Sequence, residues 1–298
     1  MTAGLPPPTE NQAYCTVSAL ESGHDLNLPL PIFLDNAAPG SSISAPSLSF
    51  LLRHSKSDKK FVFDLGIRKD LENSPLSVQN LVKRISPPTV PQDVSESLAR
   101  GGLRPADIDT VCISHCHWDH VGDTRPFINA EFVVGAASAT LFQPGYPEDP
   151  DSEFASDLLP AGRTRFLEFD EQSVSLGPFP HALDFYGDGS LYIVNAAGHL
   201  PGHVLVIART APDAWILLGG DSAHHWNLIT GESQIAEGRP GFAGGCAHLD
   251  KKAAKLNIQR IQEFWKLPRT RVIIAHDEPW YKEHKGTSAF WPGHIESK

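Results

Sequence analysis

No hydrophobic run in this chain approaches the ~18 residues a bilayer-spanning helix needs, so such a helix is excluded. Cysteine is scarce: Cys15, Cys112, Cys116 and Cys246 show no C-x-x-C pairing and no small-scaffold spacing. A disulfide framework is excluded with them, and reduced thiols in a cytoplasmic protein are the simplest reading. Positive charge is in deficit, 25 Lys and Arg against 35 Asp and Glu. A formal charge of −10 argues against nucleic acid or an anionic membrane as partner. No acidic block suggests a tail, and residues 1–11 lack the basic and apolar regions of a signal peptide. No repeat of 20–50 residues is found.

What is present describes an ordinary globular protein: 298 residues, 41% hydrophobic and 20% charged. That length buries a full core without staples. We read residues 1–13 as a mobile tail and 14–298 as a single domain. Tyr14–Leu20, Ser47–Arg53 and Phe61–Gly66 read as strands, with a long Pro-, Ser- and Gly-rich loop before about Pro46. Leu71, Val78, Leu81, Val82 and Ile85 recur at helical spacing until Pro87-Pro88, and Val94–Arg100 makes a second short helix. Further strands are expected at Thr110–Ser114, Glu131–Gly135, Arg165–Phe169, Leu183–Tyr186, Leu191–Asn195, His203–Ala208, Trp215–Gly220 and Arg271–Ala275. Helices are expected at Ala136–Phe142 and Leu249–Trp265, the latter with Ala254, Ile258, Ile261 and Trp265 on one face. A helix feeding a buried strand is a layered βα arrangement. The stretch 143–162 reads as a long exposed loop of the kind that serves as a lid.

One stretch organises the rest. The strand Thr110–Ser114 runs into His115-Cys116-His117-Trp118-Asp119-His120. Imidazole and carboxylate are the common ligands of first-row metals, and His-x-His-x-Asp-His packs four of them into six positions. On an extended loop His115 and His117 share a face while Cys116 points away as a packing residue. Asp119 and His120 then project toward a neighbouring position, which gives one loop the means to serve two ions. Three further polar residues stand just past the ends of buried strands: His199, Asp221 and His276. Strand ends at one edge of a sheet converge in space. Gly198 and Gly220, each just before one of these residues, suit tight turns.

The set His115-x-His117-x-Asp119-His120, His199, Asp221 and His276 resembles the complete ligand pattern of the metallo-β-lactamase superfamily, in order, from about Tyr14 to His276. The resemblance implies an αββα four-layer sandwich, two mixed β-sheets flanked by helices, with the metals at one end. By carry-over, His115, His117 and His199 would hold one ion and Asp119, His120 and His276 the other, with Asp221 bridging. The implied cofactor is two divalent ions, zinc first, although iron and manganese use the same donors. The spacing from His199 to Asp221 is similar to that of N-acyl homoserine lactonases. Those typically carry a tyrosine three residues after the bridging aspartate, where this chain has His224. The departure points away from homoserine lactone itself and leaves ring-opening hydrolysis in place. The chain also resembles fungal lactonase-like proteins, including γ-lactamases that open benzoxazolinone-type cyclic carbamates.

The expected activity is therefore hydrolysis of a small cyclic ester or amide: a lactone, γ-lactam or cyclic carbamate. Two ions sharing a hydroxide supply the nucleophile near neutral pH. Asp119 would protonate the leaving group, and His224 would orient the carbonyl or donate to the oxyanion. Trp118, His225, Trp226, Phe242 and Trp280 are candidates for the pocket, with core or sheet-edge aromatics as the plainer reading. His248, His284 and His294 lack the strand-end placement and read as surface or structural. The competing functions are a thioesterase of glyoxalase II or acyl-carrier type and an iron-based redox protein. An exposed apolar segment around 71–85 would serve either as a homodimer face or as pocket rim.

Overall fold

The computed structural model describes residues 4–85, 87–238 and 245–298. In chain order the strands are β1 (Cys15–Leu20), β2 (Leu26–Pro29), β3 (Ser42–Ala45), β4 (Ser49–His54), β5 (Lys60–Phe63), β6 (Thr110–Cys112) and β7 (Glu131–Gly135). They continue as β8 (Thr164–Leu167), β9 (Val174–Leu176), β10 (Phe179–Asp184), β11 (Leu191–Asn195), β12 (Val204–Ala211), β13 (Ala214–Leu218) and β14 (Thr270–Ile273). The α-helices are α1 (Leu30–Phe33), α2 (Leu76–Ile85), α3 (Val94–Ala99), α4 (Trp118–Val121), α5 (Trp226–Thr230), α6 (Lys251–Trp265) and α7 (Glu278–His284).

Two six-stranded sheets result, ordered β1-β4-β5-β6-β7-β8 and β14-β13-β12-β11-β10-β9. Both are mixed. The first is antiparallel through β1, β4 and β5 and parallel from β5 to β8. In the second, β14 alone lies parallel to its neighbour.

Alternation decides the layers. Phe50, Leu52, Phe61 and Phe63 from one sheet meet Ile193, Val206, Ile216 and Leu218 from the other between the sheets. Leu51, Val62, Val111 and Phe132 face outward and are covered by Val94 and Leu98 of α3. Outside the second sheet, Leu205, Ile207 and Leu217 meet Ile258, Ile261 and Phe264 of α6. Both faces of each sheet are buried, which is why these strands read as nearly continuous apolar runs. The αββα sandwich expected from the resemblance is the architecture observed.

Departures from the sequence reading have physical causes. The segment read as one long loop before Pro46 contains the ribbon β2–β3, paired from Leu26↔Ala45 to Pro29↔Ser42. Four-residue strands containing a proline carry too little alternation to stand out. The periodic segment from Leu71 splits into a 3₁₀ turn, Leu71–Asn73, and α2, which buries only Val78 and Val82. Residues Ala136–Phe142 form a 3₁₀ rather than an α-helix. The strand expected at Leu183–Tyr186 lies earlier, at Phe179–Asp184. The N-terminal segment lies along the second sheet: Arg209 donates to the Pro6 carbonyl at 2.7 Å and Gln12 to that of Asp188 at 2.7 Å. Among the described residues no helix is long and apolar enough to cross a membrane.

Candidate metal centre

The site is built where β6, β11, β13 and β14 end. After Cys112 the chain turns outward, and the Ser114 carbonyl accepts from the Val204 N–H at 2.8 Å, joining the two sheets at this point. His117 is the N-cap of α4, so the segment is a helical turn after His117 and not an extended loop throughout. That turn carries Asp119 and His120 round to a second group of donors with His276, although the His120 ring lies 4.1 Å from that of His115. Cys116 points the other way and is buried in the outer core of the first sheet, as expected.

The convergence is tight. Nδ1 of His117 lies 2.9 Å from Nε2 of His115 and 2.9 Å from Nε2 of His199. Asp221 Oδ2 faces the same group, 3.8 Å from His115 Nε2 and 3.6 Å from His199 Nε2. Its other oxygen, Oδ1, lies 3.3 Å from His120 Nε2 and 3.2 Å from His276 Nε2. Asp119 Oδ2 completes that second group, 3.6 Å from His276 Nε2. In each group one donor atom from every member lies within 4.8 Å of the others.

Backbone geometry makes the approach possible. Gly220, at φ +51°, would place a Cβ 2.9 Å from the Ser114 Cβ. Gly198 (φ +146°) would place one 2.4 Å from the backbone nitrogen of Ala254. No side chain fits at either position, in line with the turns expected there.

The electrostatics suit cations. Burial pushes His115 and His199 well below the ordinary imidazole range, which keeps their lone pairs free. Burial acts the same way on His120 and His276, but the charges of Asp221 and Asp119 outweigh it and raise both. Burial alone would raise Asp221, yet the facing His276, His120 and His224 hold it well below the usual carboxylate range. The centre therefore draws positive charge into a buried space. His120 Nε2 and Asp221 Oδ1 make no hydrogen bond there. Neutral imidazoles, carboxylates and unpartnered donor atoms fit divalent metal.

Outer partners orient these groups, and several escaped the sequence reading. Asp64 accepts from His120 Nδ1 at 2.9 Å and from the Ser114 N–H and Oγ at 2.6 and 2.8 Å. His276 Nδ1 donates to the Pro46 carbonyl at 2.8 Å. His203 Nε2 accepts from the Asp221 N–H at 3.1 Å. Asp64 stands just past β5, the same strand-end placement that singled out His199, Asp221 and His276.

The residues around the centre divide differently from expectation. His224 is buried with Nε2 3.2 Å from Asp221 Oδ2, and Phe33 stacks on its ring at 4.3 Å. Trp118 packs against the β2–β3 ribbon with Leu26, Leu28 and Ala45. His225 is a helix cap instead of a pocket residue: its Nδ1 accepts from the Asn227 N–H at 3.1 Å. Trp226 packs with Trp265 on the outer side of the second sheet. Trp280 belongs to the core between the sheets, stacked on His284 at 4.6 Å. Phe242 lies outside the described residues. His248, read as surface or structural, is buried 5.2 Å from the His199 ring and 5.1 Å from that of His224. Loop 143–162 reaches over the centre, with Phe154 facing His117 at 6.4 Å and 14°. Burial first, then the charge of Asp119, pushes the Glu153 carboxyl upward.

The sandwich and the two donor clusters agree with what comparison with known proteins finds. The family model described as Metallo-beta-lactamase superfamily matches residues 45–276, and the chain belongs to that superfamily. The cytochrome P450 monooxygenase mpaDE of Penicillium roqueforti is 31% identical over 93% of this chain and 34% of its own length. The chain thus spans about a third of that relative. Metallo-hydrolase mfmC of Annulohypoxylon moriforme is 32% identical over 93% of this chain and 83% of its own. Gamma-lactamase FDB1 of Fusarium pseudograminearum is 35% identical over 74% of this chain and 57% of its own. Among solved structures, an N-acyl homoserine lactone hydrolase with product at its catalytic metal center matches with a TM-score of 0.69. That match has 18% identity and covers 94% and 98% of the two chains. At that identity it speaks for the fold alone.

Proposed function

We propose that the chain opens a small cyclic ester or amide (a lactone, γ-lactam or cyclic carbamate) by hydrolysis at a dinuclear centre, most simply of zinc. The observation that carries the reading is Asp221, whose two oxygens face two separate ligand groups, at 3.6–3.8 Å and 3.2–3.3 Å. In this reading His115, His117 and His199 hold one ion, Asp119, His120 and His276 the other, and Asp221 bridges them. The γ-lactamase FDB1 among the relatives supports the substrate class.

When bound, a divalent pair supplies a nucleophile from water at neutral pH and polarises a carbonyl. The protein's own residues do the rest. Buried His115 and His199 present lone pairs without first losing protons, whereas His120 and His276, raised by the carboxylates beside them, would give up a proton as an ion enters. Asp119, 7% exposed, stands at the rim of the second group, positioned to pass a proton to the leaving oxygen or nitrogen. His224 acts through Asp221 by holding Oδ2, while Phe33 fixes the plane of its ring. Phe154 and the loop that carries it limit water above His117.

Proton release at neutral pH should be followed on γ-lactones, γ-lactams, cyclic carbamates and acyl thioesters, with metal content counted. Release on one ring class, lost with chelator and restored by zinc, is the expected result. Turnover of thioesters alone would move the assignment to the thioesterase reading. Silence from protein holding two ions would overturn the hydrolase reading.

A further inference from the structure

Among the described residues, the outer hydrogen bonds of the fully buried ligand imidazoles follow a rule with one exception. An imidazole that ligates metal through one nitrogen donates its other N–H to a partner that fixes its tautomer and orientation. His276 Nδ1 meets the Pro46 carbonyl, His120 Nδ1 meets Asp64, and His115 Nδ1 lies 3.0 Å from Ser114 Oγ. His199 also faces its group through Nε2, yet its buried Nδ1 has no partner among the described residues.

Two other buried imidazoles stand beside it with the same deficit. Nδ1 of His224 and Nδ1 of His248 are buried and have no partner among the described residues. The three residues are 4%, 4% and 3% exposed. Their ring centres form a triangle of 4.8, 5.2 and 5.1 Å, and one nitrogen from each lies within 4.8 Å of the others. The triangle is rigidly held. The Leu249 N–H donates to the His199 carbonyl at 3.1 Å and the Asp250 N–H to that of Gly198 at 2.8 Å, so the backbone after His248 is stitched to the His199 turn. Asn257 of α6 adds a bond to the Ala197 carbonyl at 2.6 Å.

We propose that His248 is a positioning residue for His199: with His224 it forms a three-imidazole pocket that takes the His199 Nδ1 proton through one bound water. The stoichiometry closes. With Nε2 on the metal, His199 Nδ1 carries its proton and donates. His224 keeps its proton on Nε2, toward Asp221, and leaves Nδ1 as an acceptor. A water has one lone pair for His199 and two O–H groups, one for His224 Nδ1 and one for His248 Nδ1. The three Nδ1 atoms make no direct hydrogen bond among the described residues, and one nitrogen of each ring lies within 4.8 Å of the others, which suits one bridging molecule with three partners. The inference rests on the dinuclear reading.

The test is metal binding by competition with a chromophoric chelator, on the wild type, His248→Phe and His248→Gln. His248→Phe should weaken one of two equivalents by about 10–100-fold, the range for lost outer partners, and leave the other unchanged. His248→Gln, which restores an acceptor, should recover most of the loss. Equal weakening of both equivalents, or of neither, overturns the proposal while leaving the dinuclear reading intact. A wild type that binds no metal overturns that reading itself. Three equivalents in the wild type would put a cation in the triangle and overturn the water bridge. Should His248→Phe not fold, NMR of the metal-loaded wild type decides. A slowly exchanging N–H at His199 Nδ1 coupled to bound water supports the proposal, and rapid exchange there overturns it.

Discussion

Asp64 belongs to no ligand pattern, yet its carboxylate takes three buried donors from His120 and Ser114. It sits at φ +61°, a region tolerated by Asp and strained for most side chains. Asp64→Ala would leave those donors unpaired. A loss of about 3 kcal/mol in urea unfolding of the metal-free protein is expected from such buried groups. Metal affinity should fall by about 10–100-fold in the same variant. The ligand candidates themselves were legible, because each follows a buried run and the central loop concentrates four of them. His225, Trp226 and Trp280 were misread because closeness in sequence to Asp221 or His276 does not say which way a following helix turns. His225 begins α5 as its cap, and α7 carries Trp280 back into the core.

At the scale of elements, His203 ties the start of β12 to the turn after β13 by accepting the Asp221 N–H. Burial, against the charge of Asp221, pushes this imidazole down to about 3. Its folded pKa lies below the ordinary 6.5, so between about pH 6.5 and 3 the unfolded chain binds the extra proton. Stability should therefore fall as pH drops through that window, by up to about 1.4 kcal/mol per unit for this one group. Urea midpoints of the metal-free protein should trace that slope, and His203→Gln should flatten it. The loop over 143–162 makes a different prediction. Its hairpin-like turn is closed by Tyr146 and Phe154, with the Tyr146 N–H on the Phe154 carbonyl at 2.7 Å. Phe154→Ala should raise KM several-fold with metal content unchanged, read by steady-state kinetics beside metal analysis. That a long loop lies here was legible from composition and length; that Phe154 is the residue facing His117 was not. The β2–β3 ribbon escaped notice because it packs against Trp118, Ile85 and Phe33, contacts that no four-residue window contains.

Across the whole molecule, the two sheets meet where Val204 bonds to Ser114, and the candidate centre draws ligands from both. Metal bound there would stabilise the folded state alone. At 100-fold excess over Kd one ion contributes about 2.7 kcal/mol, so chelation should lower Tm by roughly 5–10 °C for a domain of this size. An unchanged Tm in calorimetry would separate the ligand clusters from metal binding. From the amino-acid order alone came the strand ends and the seven ligand candidates, because alternation and spacing are local properties of a chain, and the sandwich followed from the resemblance those candidates carry. Only tertiary structure decided which rings pair behind them. Asp64, His203, His224 and His248 act through contacts between segments far apart in sequence, and such contacts exist only once both sheets are packed and their ends brought together.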